Sequence, residues 1–178
     1  TQPSNYFLGA KSIDELECLR CLCPIGMKCF PDPTGLGDDT CFSCEVGKYL
    51  SEIGQKECHI CPDGTFTDRE ASASCSVCES GQVPTANRDG CASCPAGRFS
   101  VSGDVDCTVC ESSLGLVASK PGTKNCQYCG PGYRADNTTN SCVACAVGEF
   151  SAGGSDYCTK CAVGQVSEIG SSSCVYCT

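Results

Sequence analysis

The strongest constraint on this chain is the spacing of its cysteines. There are 22 cysteines among 178 residues, a density typical of proteins held together by disulfide bonds. From Cys41 onward they occur only as Cys-x-x-Cys pairs, which follow one another every 16 or 17 residues apart from one interval of 19. The pairs begin at Cys41, Cys58, Cys75, Cys91, Cys107, Cys126, Cys142, Cys158 and Cys174. A fixed period of this kind predicts a repeat protein.

Each repeat also has a regularly placed glycine, three residues after the second cysteine of most pairs. These glycines are Gly47, Gly64, Gly81, Gly97, Gly132, Gly148 and Gly164. An aromatic or β-branched residue, such as Tyr49 or Phe66, usually follows two positions later. The repeat after Cys110 departs from the pattern, because its Gly115 is shifted by two residues. The pattern predicts a short strand, a glycine turn and a return strand in every repeat.

The composition leaves little material for an ordinary core. Leu, Ile, Val and Phe together number 31 of 178 residues, and a repeat this short cannot bury its own apolar face without stacking on its neighbours. The sequence therefore predicts a small disulfide-rich repeat protein, an elongated rod of short β-hairpins stapled by a disulfide ladder, with little helix. We expect residues 41–178 to form the tandem repeats and residues 1–40 to form an N-terminal cysteine-rich cap or terminal module.

The net charge, the hydropathy and the first residues limit the partners and the location that this chain can have. The net charge is −9 and basic residues are scattered, which argues against nucleic acid or an anionic membrane as a partner. No run of 18 apolar residues occurs, so we expect no membrane insertion in this segment. The chain opens at Thr1 without Met, which fits a mature secreted chain, or a fragment, whose leader was removed. Ser12-Ile13-Asp14-Glu15 has the spelling of a capping box and predicts a short helix around residues 13–20.

Two interpretations of the cysteine pairs compete. Pairs about 13 residues apart could form four-cysteine zinc sites, but nine pairs would leave one over, and His59 is the single imidazole. A reducing compartment would rarely hold so many thiols without metal. We therefore favour disulfide bonds and expect no metal and no other cofactor.

The loop lengths favour one pairing among three. If the second cysteine of each pair bonds the first of the next, the bonds are Cys44–Cys58, Cys61–Cys75, Cys78–Cys91, Cys94–Cys107, Cys110–Cys126, Cys129–Cys142, Cys145–Cys158 and Cys161–Cys174. A loop of ~15 residues closed in this way contributes about 3 kcal/mol in the chain-entropy model. The alternatives are first-to-first with second-to-second bonds, which would group the repeats in twos, and redox-type bonds within a pair.

The preferred pairing leaves cysteines over at both ends. Cys177 has no successor, and Cys41 needs Cys23 or Cys29 as its partner. With Cys18 and Cys21, three N-terminal cysteines then remain, and three cannot pair among themselves. We hypothesise that Cys177 forms an intermolecular bond to an N-terminal cysteine of another copy, or bonds a continuation of the chain.

One repeat shows a resemblance to a known family. Cys94-Pro95-Ala96-Gly97-Arg98-Phe99-Ser100, followed by Gly103 and Cys107-Thr108-Val109-Cys110, resembles the ephrin-receptor-like cysteine-rich repeats, which are relatives of tumour-necrosis-factor-receptor modules. The resemblance covers residues 41–178. It implies an extracellular, elongated fold with a disulfide ladder, of a kind found in receptor stalks and in large surface proteins of protists and algae.

Few residues suggest a catalytic, metal-binding or modification site. No motif predicts a catalytic site, and His59, between two cysteines, is interpreted as a surface residue. Asp104 with Asp106, and Asp38 with Asp39, could hold calcium, but solvated turns explain them better because no EF-hand pattern exists. Asn137-Thr138-Thr139 is a glycosylation sequon, so Asn137 is a candidate site; Asn140-Ser141-Cys142 is the weaker cysteine variant.

These observations predict a function without enzymatic activity. We expect an extracellular structural or adhesive repeat protein, a building block of a surface coat or filament, whose partners are further copies of itself or other extracellular proteins. The alternative is the ectodomain of a cell-surface receptor that binds a protein ligand. Such a site should concentrate aromatic or Arg residues in one place, whereas the aromatics recur at core-like positions and Trp is absent.

Overall fold

The structure, a computed structural model, describes residues 23–30 and 40–177 and is built from short antiparallel strand pairs. The pairs are Met27–Phe30 with Thr40–Ser43, Lys48–Tyr49 with His59–Ile60, Thr65–Phe66 with Ser76–Val77, Gln82–Pro84 with Cys91–Ser93, Arg98–Phe99 with Thr108–Val109, Leu116–Val117 with Gln127–Tyr128, Tyr133–Asp136 with Ser141–Ala144, Glu149–Phe150 with Thr159–Lys160, and Gln165–Val166 with Val175–Tyr176. We call each hairpin with its closing disulfide a repeat and number the repeats 1 to 9 in chain order. The predicted hairpin repeat protein with little helix is confirmed. The helix predicted around residues 13–20 lies outside the described residues.

The turn that opens each hairpin explains why the glycine recurs at the same position in most repeats. In repeat 2 the Lys48 N–H donates to the Glu45 carbonyl at 3.1 Å, and Gly47 between them has φ +78°. A positive φ at this third position of a tight turn favours glycine, because a side chain is strained there. In repeat 6 the longer segment before the glycine contains the three-residue 3-10 turn Ser112–Leu114, which Gly115 ends with φ +72°. The shifted glycine therefore occupies an equivalent conformation.

The core consists largely of sulfur and small side chains. The cysteine that opens each of repeats 1 to 8 is buried, and the position three residues after the glycine is buried in most repeats, for example at Leu50, Ser100 and Ser151. The Ser100 hydroxyl donates to the Gln82 carbonyl at 3.0 Å, so its burial leaves no polar group unpaired. Phe66 is only half-buried, which places the aromatic position at the edge of the core.

Contacts divide the chain into two compact units. The first contains residues up to Ser76 together with Thr85–Gly90, and the second contains Val77–Pro84 and the chain from Cys91 onward. The hairpin of repeat 1 runs across the predicted boundary between residues 40 and 41; that boundary and the elongated shape stay predictions.

Candidate functional site

The disulfide ladder joins the two ends of every repeat. The structure brings together the eight pairs that the second-to-first register predicts: Cys44–Cys58, Cys61–Cys75, Cys78–Cys91, Cys94–Cys107, Cys110–Cys126, Cys129–Cys142, Cys145–Cys158 and Cys161–Cys174. Repeat 1 is closed by Cys23–Cys41, and Cys29 is also disulfide-bonded. Cys177 is an exposed free thiol. Cys18 and Cys21 lie outside the described residues.

Backbone hydrogen bonds couple each repeat to the next one. In the second unit, the Gly132 N–H of repeat 7 donates to the Ser151 carbonyl of repeat 8 at 2.7 Å, and the Gly154 N–H of repeat 8 donates back to the Cys129 carbonyl at 3.0 Å. In the first unit, the Gly47 N–H donates to the Thr67 carbonyl at 2.8 Å. The same exchange recurs between other neighbours, so the stability of a repeat depends on the repeats beside it.

The turn glycine also contacts the repeat two places further on. A Cβ on Gly132 would lie 2.0 Å from the Gly170 carbonyl oxygen, and one on Gly81 would lie 2.2 Å from that of Gly122. In the first unit, a Cβ on Gly26 would lie 1.9 Å from the Ala71 oxygen. The glycine is thus required twice, for its positive φ and for the space that a later loop fills.

The loops that fill this space contain residues that the sequence analysis missed. Ala71, Arg88 and Asn140 are non-glycine residues with positive φ values of +54°, +57° and +50°. Ala71 lies four residues before the next cysteine, where repeat 6 has Gly122, whereas Arg88 and Asn140 lie three and two residues before theirs. Asn140 presses its side-chain amide against Gly97, at 2.4 Å from a Cβ built there. Since non-glycine residues rarely adopt this conformation, composition alone gives no signal for Ala71 or Arg88, although Asn tolerates it.

The Arg88 side chain makes a hydrogen bond that a backbone N–H makes in other repeats. Its guanidinium donates to the Cys61 carbonyl and pairs with the Asp63 carboxylate. In the second unit the corresponding carbonyl, such as that of Cys94, accepts the N–H of a loop glycine, Gly122, at 2.8 Å. The loop Thr85–Gly90 is therefore held in the first unit by an ionic group.

The residues considered for catalysis or metal binding are separate from one another. His59 is exposed in its strand with its ring 6.0 Å from that of Tyr49. The Asp104 carboxylate accepts the Val101 N–H at 2.8 Å, as expected for a turn, and Asp106 is exposed. Within residues 23–30 and 40–177 no three His, Cys, Asp or Glu side chains are grouped for a metal ion. Asp38 and Asp39 lie outside the described residues.

The sequon lies at the tip of the hairpin in repeat 7. Asn137 is exposed, and the neighbouring Asp136 carboxylate accepts the Thr138 N–H at 3.1 Å and the Thr139 hydroxyl at 3.0 Å. The hydrogen bond from the Thr138 N–H is the main cause that lowers the pKa of Asp136, and the bond from the Thr139 hydroxyl is the second. Cys142 of the weaker variant sequon is bonded to Cys129.

The fold defines the class of protein: a hairpin repeat protein with a disulfide ladder. A family model described as "Tyrosine-protein kinase ephrin type A/B receptor-like" matches residues 34–78. A search of curated proteins found no match. The family match and the ladder together support a cysteine-rich ephrin-receptor-like repeat protein.

Such repeats indicate a non-catalytic domain in an extracellular or cell-surface location, where disulfide bonds persist. Across the described part of the chain, no helix has the length and hydropathy needed to cross a bilayer.

Proposed function

We propose that this protein is a secreted structural or adhesive glycoprotein without enzymatic activity, a building block of a surface coat or filament. The observation that carries the proposal is that a disulfide closes each repeat, while backbone hydrogen bonds and glycine contacts couple it to its neighbours, which suits a load-bearing element. Asn137 at the hairpin tip would carry a glycan. Cys177 would bond an N-terminal cysteine of another copy, the two thiols giving two protons and two electrons to the oxidants that form the other disulfides.

Exposed apolar side chains support an adhesive role spread over several repeats. The residue before the second cysteine of a pair is exposed and apolar at Val77, Val109, Tyr128 and Tyr176 in the second unit. A single ligand site usually depends on a few clustered anchors. The recurrence of these side chains at one repeat position therefore favours many equivalent weak contacts over one strong contact.

The location and the assembly can be tested together. We expect antibody labelling of intact, unpermeabilised cells to detect the protein at the surface, and we expect extraction of the coat to require a reductant. Negative-stain images of the extracted material should show polymers. A protein found only inside the cell, or with mostly reduced cysteines on mass mapping, would contradict the proposal.

One observation favours the alternative, a receptor ectodomain. In the first unit, a depression of about 530 Å³ is lined by Lys28, Phe30 and Lys48, with the Lys28 ammonium 5.6 Å from the centre of the Phe30 ring. Glu45 and Glu57 line the same depression, so it presents both signs of charge. A receptor role predicts that the double substitution Lys28→Glu and Lys48→Glu abolishes ligand capture, whereas a coat role predicts normal surface assembly of that variant.

A further inference from the structure

A groove in the first unit combines apolar side chains with carboxylates. It has a volume of about 560 Å³ and is lined by the turn of repeat 2 and by the loops of repeats 3 and 4. Val46 and Ile60, which are 41 % and 63 % exposed, supply apolar side chains to it. Glu45, Glu70 and Asp89 line the same space. We call this space the acidic groove.

Most of the negative charge in the acidic groove has no cation beside it. Among the described lining residues, Lys48 is the only cation, and its ammonium pairs with Glu45 at 3.2 Å. Within the described part of the chain, no cation pairs with the other two carboxylates of the groove, and Arg88 of the same loop pairs with Asp63 instead. The groove therefore has a local negative charge that favours a cationic group.

The part of the acidic groove that repeat 4 contributes is held in place by hydrogen bonds. The Arg88 guanidinium donates to the Cys61 carbonyl. The Thr85 hydroxyl donates to the Asp89 carboxylate, and the Asp89 N–H donates to the Thr85 hydroxyl oxygen at 3.2 Å. A site that is already formed loses less conformational entropy when a partner binds.

The loop of repeat 6, residues 119–125, has the opposite charge. It contains Lys120 and Lys124 and no carboxylate, whereas the corresponding loop in each of repeats 2 to 5 and 7 to 9 contains at least one Asp or Glu. Both lysines are exposed. The Gly122 N–H between them donates to the Cys94 carbonyl at 2.8 Å, so this loop is also held in place. We call it the basic loop.

We propose that the basic loop of one copy of this chain docks in the acidic groove of a second copy. The inference rests on the proposed function, whose self-association it specifies. A lysine suits the groove because its aliphatic stem can pack on Val46 and Ile60 while its ammonium meets a carboxylate. Because the groove and the loop are different surfaces, each copy can take part in two contacts, and the assembly can grow beyond a pair.

The acidity of the chain makes this contact selective. The net charge is −9, so most other alignments of two copies bring carboxylates together and are repulsive. Among the loops of repeats 2 to 9, the basic loop is the one without a carboxylate. Repulsion elsewhere and attraction at this loop together favour one alignment of the two copies.

Sedimentation velocity of the full chain tests the contact. The chain carries Cys177→Ser, so that a disulfide through this thiol does not mask reversible association. We expect association that rises with protein concentration and weakens at least tenfold in about 1 M salt, where the screening length is about 3 Å. Replacing both Lys120 and Lys124 by Gln should also weaken association at least tenfold. Lys160→Glu is the matched control, because it changes the net charge by the same amount at an exposed lysine of repeat 8, and it should leave association unchanged.

A charge exchange tests whether the occupant of the groove is a second copy. Glu70→Lys in the groove and Lys120→Glu in the loop should each weaken association at least tenfold. In an equimolar mixture of these two variants, the intact loop of the first meets the intact groove of the second, so the mixture should bind with the affinity of the parent chain. Both substitutions change exposed side chains, and an unchanged disulfide content by mass spectrometry verifies that each variant is folded.

Three results would overturn the inference: a monomer at every concentration, association unaffected by the loop and groove variants, or a mixture that does not recover. A chain that stays monomeric overturns it even if the acidic groove binds a lysine-rich peptide. Surface labelling of cells is independent of these readouts, so failure of docking and failure of the proposed function can be told apart.

Discussion

At the scale of the residue, a turn glycine such as Gly132 has two roles, which substitutions at two different glycines can separate. One is the positive φ, which costs most other L-residues about 1–2 kcal/mol. The other is the absence of a Cβ where a loop from two repeats further on packs. Gly132 has both roles, whereas Gly154 has a positive φ but open space around it.

We therefore predict that Gly132→Ala destabilises the protein more than Gly154→Ala does. Gly154→Ala should lose about 1–2 kcal/mol from backbone strain alone. Gly132→Ala should lose more, because its Cβ would lie 2.0 Å from the Gly170 oxygen and must displace that loop. Guanidinium denaturation of the oxidised protein measures both losses. Equal losses would show that the loop adjusts freely and that contacts two repeats apart contribute little.

At the scale of the element, a charged side chain in the loop of repeat 4 makes the hydrogen bond that a backbone amide makes in other repeats. Arg88 donates to the Cys61 carbonyl and to Asp63. The Asp63 side chain is 72 % exposed, so solvent screens that ion pair and little stability is expected from it. The hydrogen bond to the carbonyl of a buried cysteine should contribute most of the effect.

This loop yields a prediction with an internal control. Arg88→Ala should destabilise the protein by about 1.5–3 kcal/mol, the usual range for a hydrogen bond from a charged group, and should speed proteolysis within Thr85–Gly90. Asp63→Asn removes the ion pair but leaves the bond to Cys61, and should cost about 0–1 kcal/mol. If the two variants cost the same, or if 1 M salt abolishes the effect of Arg88→Ala, the ion pair carries the stability instead.

The hairpins could be predicted from the sequence, whereas the conformation of the loop residues could not. The interval between cysteine pairs and the glycine three residues later predicted the hairpins, since a stapled loop of this length with one obligatory glycine has few conformations. The loop residues could not be assigned in the same way, because Ala71 and Arg88 adopt a positive φ only under contacts from other repeats. The small side chain three residues after the glycine, as at Ser100, was missed because its burial depends on the neighbouring repeat.

At the scale of the whole molecule, coupling between repeats should make the position of a disulfide matter as much as its loop length. Cys94–Cys107 and Cys161–Cys174 both close loops with a sequence separation of 13. The chain-entropy model therefore assigns them the same stabilisation, about 3 kcal/mol each. They differ in surroundings within the described residues, because Cys94 is fully buried between two neighbouring repeats, whereas Cys161 is half-buried beside one described repeat.

In a Cys177→Ser background, which prevents exchange with the free thiol, we predict that replacing Cys94 and Cys107 by Ser destabilises more than replacing Cys161 and Cys174. The inner change should reduce hydrogen-exchange protection in repeats on both sides, because each repeat draws hydrogen bonds from its neighbours. The outer change should reduce protection mainly in repeats 8 and 9. Equal and purely local losses would mean that each hairpin is stable by its own disulfide. The repeats would then be independent modules, and the coupling that supports a load-bearing role would be absent.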